Sequence, residues 1–249
     1  MLSRNLSLSV IVLAGGYSRR MGKDKALLTY HGQSLLGHTV QVAQQLSNDV
    51  LLVTPWPERY QSILHDSVRY VTEPVHTSSD QQSDTSISSH PPQKLSAGPL
   101  SGFSYGWQHT LSDWCLVLAC DLPYLKADPL LQWWQWISVN ARNSWPNMST
   151  HPMASLVLSC SSIQKPSHSR IRWQPLCGYY HRSCLSALNQ QTTKQKKSFQ
   201  NWLATLPIAR YESVPRQMLF NCNTPTDWVQ FVTAQQTEST HRPNLQPHI

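Results

Sequence analysis

The sequence predicts an α/β protein built on a single doubly wound, mostly parallel sheet with helices on both faces. Three observations carry that expectation. Short apolar, β-branched runs recur at Leu8–Leu13, Val50–Val53, Val68–Val71 and Trp114–Leu118, each the length of a buried strand and too short for a helix. Segments with helical periodicity alternate with the first of these runs, and strand–helix–strand–helix–strand order is the mark of a parallel sheet covered on both sides. The chain has 249 residues, 40% of them hydrophobic, enough for one sizeable core.

The elements follow in order. After the Leu8–Leu13 strand, Ser34 to Leu46 places Leu35, Leu36, Val40, Val42, Ala43 and Leu46 on one helical face. Val50–Val53 is the second strand, stopped by Pro55 and Pro57. Glu58–Leu64 reads as a short helix and Val68–Val71 as the third strand. From Val75 to Ser96 apolar content and periodicity vanish, so this stretch reads as a disordered insertion within the domain. A helix is expected from the Ala97-Gly98-Pro99-Leu100-Ser101-Gly102 segment to about His109, then a strand from Trp114 to Leu118. Asp128 to Val139 reads as a helix capped by Asp128 with Pro129 at its first position. Strands at Met153–Leu158 and Pro175–Tyr180 and helices at His181–Leu188 and Ser198–Leu203 follow. Thr224 and Pro225 open a last helix to about Ala234. One domain is therefore expected over residues 1–235, with the 75–96 insertion inside it and a disordered tail over 236–249.

Composition narrows the function. The formal net charge of +7 favours anionic ligands. Nucleic acid is excluded as the expected anion, because the basic residues are scattered and the longest basic run, Lys194-Gln195-Lys196-Lys197, has no nucleic-acid motif beside it. The six cysteines form no C-x-x-C pair and no zinc-like spacing with histidine. They read as small core residues in a reducing compartment. Leu8 to Ala14 is too short to span a membrane and ends in glycines rather than a cleavage site. A cytoplasmic protein without a membrane partner is expected. The ten tryptophans are expected mainly in the core.

Chemistry concentrates where the first strand ends. Val10-Ile11-Val12-Leu13 runs directly into Ala14-Gly15-Gly16-Tyr17-Ser18-Arg19-Arg20-Met21-Gly22-Lys23-Asp24-Lys25. Adjacent glycines let main-chain N–H groups approach an anion without a Cβ in the way. Arg19, Arg20 and Lys25 supply cations for phosphate oxygens. The loop is not a P-loop, because five residues separate Gly16 from Gly22 and Asp24 stands where Ser or Thr is needed. The G-x-G-x-x-G dinucleotide fingerprint is also absent there. Further along, Asp121 follows a strand directly and precedes Pro123. That puts a carboxylate at the carboxyl edge of the sheet, where open α/β sheets bind ligands.

The pattern L-A-G-G-x-S-x-R-M-G-x-D-K over Leu13–Lys25 resembles the signature of the molybdenum cofactor guanylyltransferases, within a wider family of nucleotidyltransferases. Cys120-Asp121-Leu122-Pro123 is similar to that family's C-D-x-P motif, Asn221-Cys222-Asn223-Thr224-Pro225 to its N-x-N-T-P motif, and Pro175–Tyr180 to its P-L-x-A-L-Y segment. The resemblance spans Leu8 to Val232 apart from the 75–96 and 164–172 stretches. It implies a Rossmann-like nucleotidyltransferase fold and transfer of GMP from GTP to the terminal phosphate of molybdenum-loaded molybdopterin, with release of pyrophosphate.

Carried onto this sequence, the resemblance implies that Leu13, Ala14, Gly15 and Gly16 contact the guanine and ribose side of GTP. Arg20 and Lys25 would bind the triphosphate. Asp121 would hold Mg²⁺ and contact the nucleotide, with Asn221 and Asn223 near the metal and the acceptor. Thr54 stands where the family often has Asn or Ser, and Glu73 where it usually has Asp; both are expected at the base. Arg20, Lys25 and Asp121 are the expected catalytic set. Molybdenum-insertion proteins and molybdoenzyme chaperones are the implied partners, and a monomer is expected. Two alternatives stay open: a cytidylyltransferase or another small nucleotidyltransferase using the same loop, and a non-catalytic nucleotide-binding protein. The Gly15-Gly16 pair favours guanine over cytosine, because the cytidylyl relatives tend to have Ala-Gly there.

Overall fold

The computed structural model describes residues 6–15, 20–64, 68–74, 98–143, 154–158, 172–193 and 198–240. Its centre is a seven-stranded sheet. The strands in chain order are β1 (Leu8–Leu13), β4 (Val50–Thr54), β5 (Arg69–Thr72), β6 (Trp114–Ala119), β7 (Ala154–Leu158), β8 (Trp173–His181) and β9 (Ile208–Arg210). Two further short strands, β2 (Thr29–Tyr30) and β3 (Gln33–Ser34), pair with each other as a separate hairpin.

Across the sheet the order is β5-β4-β1-β6-β8-β7-β9. β1 pairs parallel with β4 on one side and β6 on the other, and β4 pairs parallel with β5. β8 runs antiparallel between β6 and β7, and β9 lies parallel to β7. The expectation of a mostly parallel, doubly wound sheet is met, with β8 as the one reversed strand among those described. The chain leaves β1 toward β4 and β5, then returns to place β6 on β1's other flank. Strand order therefore reverses between β1 and β6, and a crevice opens outside their carboxyl ends.

Both faces are covered. β1 turns Val10 and Val12 to one side and Ile11 to the other, each fully buried, as the two-residue period of a strand covered twice requires. Val10 and Val12 join Leu36, Val40, Leu118 and Trp133, contributed by α1 (Leu35–Leu46), β6 and α4 (Ala127–Asn143). Ile11 joins Phe103, Trp107, Tyr180, Leu188 and Trp202, from α3 (Pro99–Trp107), β8, α5 (Leu185–Thr193) and α6 (Phe199–Leu203). Trp107, Trp133 and Trp202 are among the largest fully buried side chains, so these tryptophans are core, as expected. Phe103 stacks on Trp107 with ring centroids 4.8 Å apart, a geometry that adds to simple burial.

Local sequence explains where helices begin. Ser34 Oγ accepts the Gly37 N–H at 3.0 Å and caps α1. Pro99 sits in the first turn of α3, and Gly98 before it has φ +98°, a conformation that favours glycine. α3 lies close on the sheet because Gly106 has no side chain: a Cβ there would overlap Val53 Cγ2.

Several boundaries differ from expectation. Glu58–Leu64 is a 3₁₀ turn, Pro57–Arg59, followed by the one-turn helix α2 (Gln61–Leu64). α4 starts at Ala127, so Asp128 lies inside the first turn rather than at the cap; a first-turn N–H has no intrahelical acceptor, so Pro129 is accommodated there. The last helix, α7 (Pro225–Thr240), continues past Ala234, so residues 236–240, expected in a disordered tail, are helical. The β2–β3 hairpin and β9 were not expected. The 75–96 stretch, the Lys194–Lys197 run and residues 241–249 lie outside the described residues. No described helix is long and apolar enough to cross a membrane.

Candidate active site

The crevice outside β1 and β6 is a cleft of about 260 Å³. β1 contributes Leu13 and the following Gly15, and β6 contributes Ala119 with Cys120 and Asp121 after it. The N-terminus of α3 adds Gly98, Pro99 and Gly102; Glu73 closes the side beyond β5, and Leu176 of β8 the other. Gly15 sits tight against the turn after β4: a Cβ there would lie 3.0 Å from Pro55 Cδ, so the proline ring would have to give way.

Lys25 reaches this cleft because a short turn aims it there. Asp24 Oδ1 accepts the Ala26 N–H at 3.0 Å, capping a 3₁₀ turn over Lys25–Leu27. Asp24 Oδ2 accepts the Tyr60 hydroxyl at 2.8 Å, so the turn is tied to the chain just before α2. From it Lys25 Nζ donates to Asp121 Oδ2 at 2.7 Å and to Asn223 Oδ1 at 3.1 Å.

This ion pair is largely out of solvent: the two side chains are 19% and 10% exposed. Burial alone would lower the Lys25 pKa. The Asp121 charge and hydrogen bond outweigh it, and the pKa lies above its ordinary 10.5. Lys25 is therefore a fixed ammonium at neutral pH. Cys120 and Cys222 flank the pair; burial, with the Asp121 charge, pushes their thiols up to about 12 and about 11. For Cys222 the Asp227 carboxylate adds to the rise. Both stay protonated and neutral, and neither offers a thiolate nucleophile.

Asp121 uses only half of its carboxylate. Its Oδ1 is buried and accepts no hydrogen bond among the described residues. A buried carboxylate oxygen without a donor loses hydration with nothing in exchange. No group of three or more His, Cys, Asp or Glu that could hold a metal occurs among the described residues. One carboxylate with an amide oxygen nearby nevertheless fits Mg²⁺, which takes one or two carboxylates and fills its octahedron with phosphate oxygens and water.

Asn223 is positioned by the start of α7. Thr224 Oγ1 accepts the Asp227 N–H at 3.2 Å, while Asp227 Oδ2 accepts the N–H groups of Thr224 at 2.8 Å and Asn223 at 2.9 Å. This is a reciprocal capping box with Asp at its third helical position. Burial works to raise the Asp227 pKa, but these hydrogen bonds and the Arg20 charge hold it below its usual value. The loop is also tied to β6 through the Cys222 N–H, which donates to the Asp121 carbonyl at 2.8 Å.

The structure brings together Leu13, Gly15, Lys25, Glu73, Asp121 and, through Lys25, Asn223. Ala14 is buried behind the cleft with its N–H donated to the Val53 carbonyl at 3.1 Å. Arg20 is exposed and its charge is felt at Asp227. Thr54 is fully buried, and its hydroxyl accepts the Trp56 N–H at 3.2 Å. Asn221 turns away from Lys25, with Oδ1 accepting from Gln174 Nε2 at 3.3 Å. Gly16 and Arg19 lie outside the described residues. Sequence reasoning missed Asp24, Asp227 and Gln174. The Thr224-x-x-Asp227 spacing could have revealed the capping box; nothing local marks Gln174.

The mostly parallel sheet places a lysine–carboxylate pair at its switch point, where open α/β sheets bind ligands. The comparisons with known proteins give the class, an NTP transferase. The model of the MobA-like NTP transferase domain matches residues 10–210, and the chain belongs to this family. A Nostoc protein described as a probable molybdenum cofactor guanylyltransferase is 34% identical over 221 residues, covering 89% of this chain and 88% of the relative. A Synechococcus elongatus protein of the same description is 34% identical over 224 residues, 90% of this chain and 97% of the relative. Among solved structures, molybdopterin-guanine dinucleotide biosynthesis protein A from Archaeoglobus fulgidus superposes with a TM-score of 0.63 at 17% identity, over 92% of this chain and 99% of that one.

Proposed function

We propose that this enzyme transfers GMP from GTP to the terminal phosphate of molybdopterin carrying molybdenum, forming the guanine dinucleotide form of the cofactor and releasing pyrophosphate. The observation that carries the reading is the Lys25–Asp121–Asn223 cluster at the sheet's switch point, with the buried Oδ1 of Asp121 left for a cation. Family membership and full-length relatives supply the substrate class.

In this reading an oxygen of the acceptor phosphate bonds to the α-phosphorus of GTP. The bond from that phosphorus to the α–β bridging oxygen breaks, and pyrophosphate leaves with the electron pair. A phosphate monoester with a second pKa near ~6 is already ionised at neutral pH, so no general base is needed. The protein's work is alignment and charge neutralisation. Lys25, an ammonium held in a half-closed site, offsets charge on the α-phosphate and the departing pyrophosphate. Mg²⁺ would be held by Asp121, with Asn223 beside it, and would supply further neutralisation of phosphate oxygens. The backbone at Leu13 and Gly15 and the carboxylate of Glu73 form the wall on which the base rests; Glu73 can accept from a guanine N–H edge. The five described cysteines are all free and buried, which supports action in a reducing cytoplasm.

The direct test is product identification. The chain is incubated with Mg²⁺, molybdenum-loaded molybdopterin and GTP labelled at the α-phosphate. The label should move to the pterin product and stay with GTP when EDTA is present. Label that remains in GTP with metal and acceptor both supplied would sink the reading.

A further inference from the structure

β7 and β8 pair antiparallel, with Leu156 opposite Gly178 and Leu158 opposite Trp173. β8 therefore carries more chain than β7 can match, and the excess, Gln174 to Leu176, leaves the ladder as a bulge. Bulges bend a strand and re-aim its side chains, often beside active sites. Three hydrogen bonds brace it, two at Trp173 and one at Pro175. Gln200 of α6 accepts the Trp173 N–H through Oε1 at 3.1 Å and donates from Nε2 to the Trp173 carbonyl at 2.8 Å. The Tyr180 hydroxyl donates to the Pro175 carbonyl at 2.7 Å.

The bulge sends Leu176 to the cleft wall and Gln174 toward the loop before α7. Gln174 is only 9% exposed, and its Nε2 donates to Asn221 Oδ1 at 3.3 Å. Asn221 Nδ2 in turn donates to the Leu219 carbonyl at 3.1 Å. The next residues of the same loop are Cys222, bonded to the Asp121 backbone, and Asn223, bonded to Lys25 Nζ. We propose that Gln174 is a positioning residue: through Asn221 it sets the Leu219–Asn223 loop, and through Asn223 it sets the direction of the Lys25 ammonium. A buried amide used this way has a specific value, because a small displacement of a charge-neutralising group costs far more rate than stability.

The turnover part of this proposal rests on the guanylyltransferase reading; the placement of Lys25 does not, and the experiment reads both. Gln174→Met keeps the length and removes the donor; Gln174→Glu keeps the shape and removes the donor. For each, kcat and KM for GTP are measured together with the melting temperature. Lys25 acylation by a small N-hydroxysuccinimide ester is mapped by mass spectrometry on folded protein without substrates. Both variants should lower kcat about tenfold, leave KM for GTP close to wild type and raise Lys25 labelling several-fold. Combining Gln174→Met with Asn221→Ala should be no worse than Asn221→Ala alone, since both act on one contact. Unchanged Lys25 labelling in both single variants overturns the proposal whatever the turnover, as does a double variant whose loss is the product of the singles. Raised labelling in a chain whose wild type transfers no nucleotide supports the positioning role and removes the guanylyltransferase reading instead.

Discussion

Lys25 and Asp121 form a largely buried pair in which Asp121 Oδ1 is left without a donor among the described residues. The lysine keeps its proton because the carboxylate offsets the cost of burial. With a folded pKa raised above 10.5, the stability Lys25 contributes through the pair is fully present below pH 10.5 and is lost only as pH rises through the folded value. Lys25→Ala should lower turnover by about two orders of magnitude or more, the scale of a lost electrostatic stabiliser. Pyrophosphate release per folded molecule measures this, and near-normal release would take Lys25 out of the mechanism. Asp121→Asn removes the carboxylate that opposes burial most strongly, so the lysine pKa should fall, as read by NMR titration of the labelled side chain; a pKa that stays unchanged would contradict the charge argument. Both residues were legible in the sequence because each sits in a short pattern beside a strand end. Thr54 shows the limit of that legibility. The family resemblance implied a base contact for it, but the side chain is fully buried and its hydroxyl accepts the Trp56 N–H two residues on.

The short elements around the cleft hold its charged groups in place. The Thr224–Asp227 box starts α7 and fixes the backbone of Asn223. Asp227→Ala should cost about 1 kcal/mol of stability, the usual scale of a lost cap, and should lower turnover as well, since Asn223 loses its anchor. Melting and kinetics on one preparation test this, and full turnover with the cap removed would separate α7 from the site. α1 is tied to the loop after β6 by His38, whose Nε2–H donates to the Leu125 carbonyl at 2.9 Å. Burial lowers the His38 pKa below 6.5, with the Leu125 bond only partly offsetting it. Below pH 6.5 the unfolded chain takes up a proton that the folded one refuses, so stability falls as pH drops from 6.5 toward the folded value. His38→Gln should remove that part of the acid-side loss in melting temperature between pH 8 and 5; an unchanged acid-side loss would show that His38 titrates alike in both states. Periodicity revealed α1, the Ala97–Gly102 segment α3 and the Asp128-Pro129 start α4, although α4 runs on past the expected Val139 to Asn143. β2, β3 and β9, two or three residues each, have no period to read and form only because their neighbours are already in place.

At the scale of the molecule, one topological fact makes the site. The chain crosses from β5 to β6 around β1, so two strand ends open a crevice lined by Gly15 after β1 and Asp121 after β6. The alternation of strands and helices made this half of the sheet legible. The reversed β8 and the order β8-β7-β9 were not, because local pattern carries no record of strand direction or of which neighbour a strand chooses. Two aromatic-rich cores hold the sheet from either side and keep the crevice's walls at fixed spacing. In the proposed reaction this crevice selects GTP for transfer to molybdopterin. Pyrophosphate release should therefore be measured with Mg²⁺ and molybdenum-loaded molybdopterin, offering GTP, CTP, ATP and UTP in parallel. Release is expected with GTP and background with the other three. Release with CTP in place of GTP, or with none of the four, would overturn the guanylyltransferase assignment.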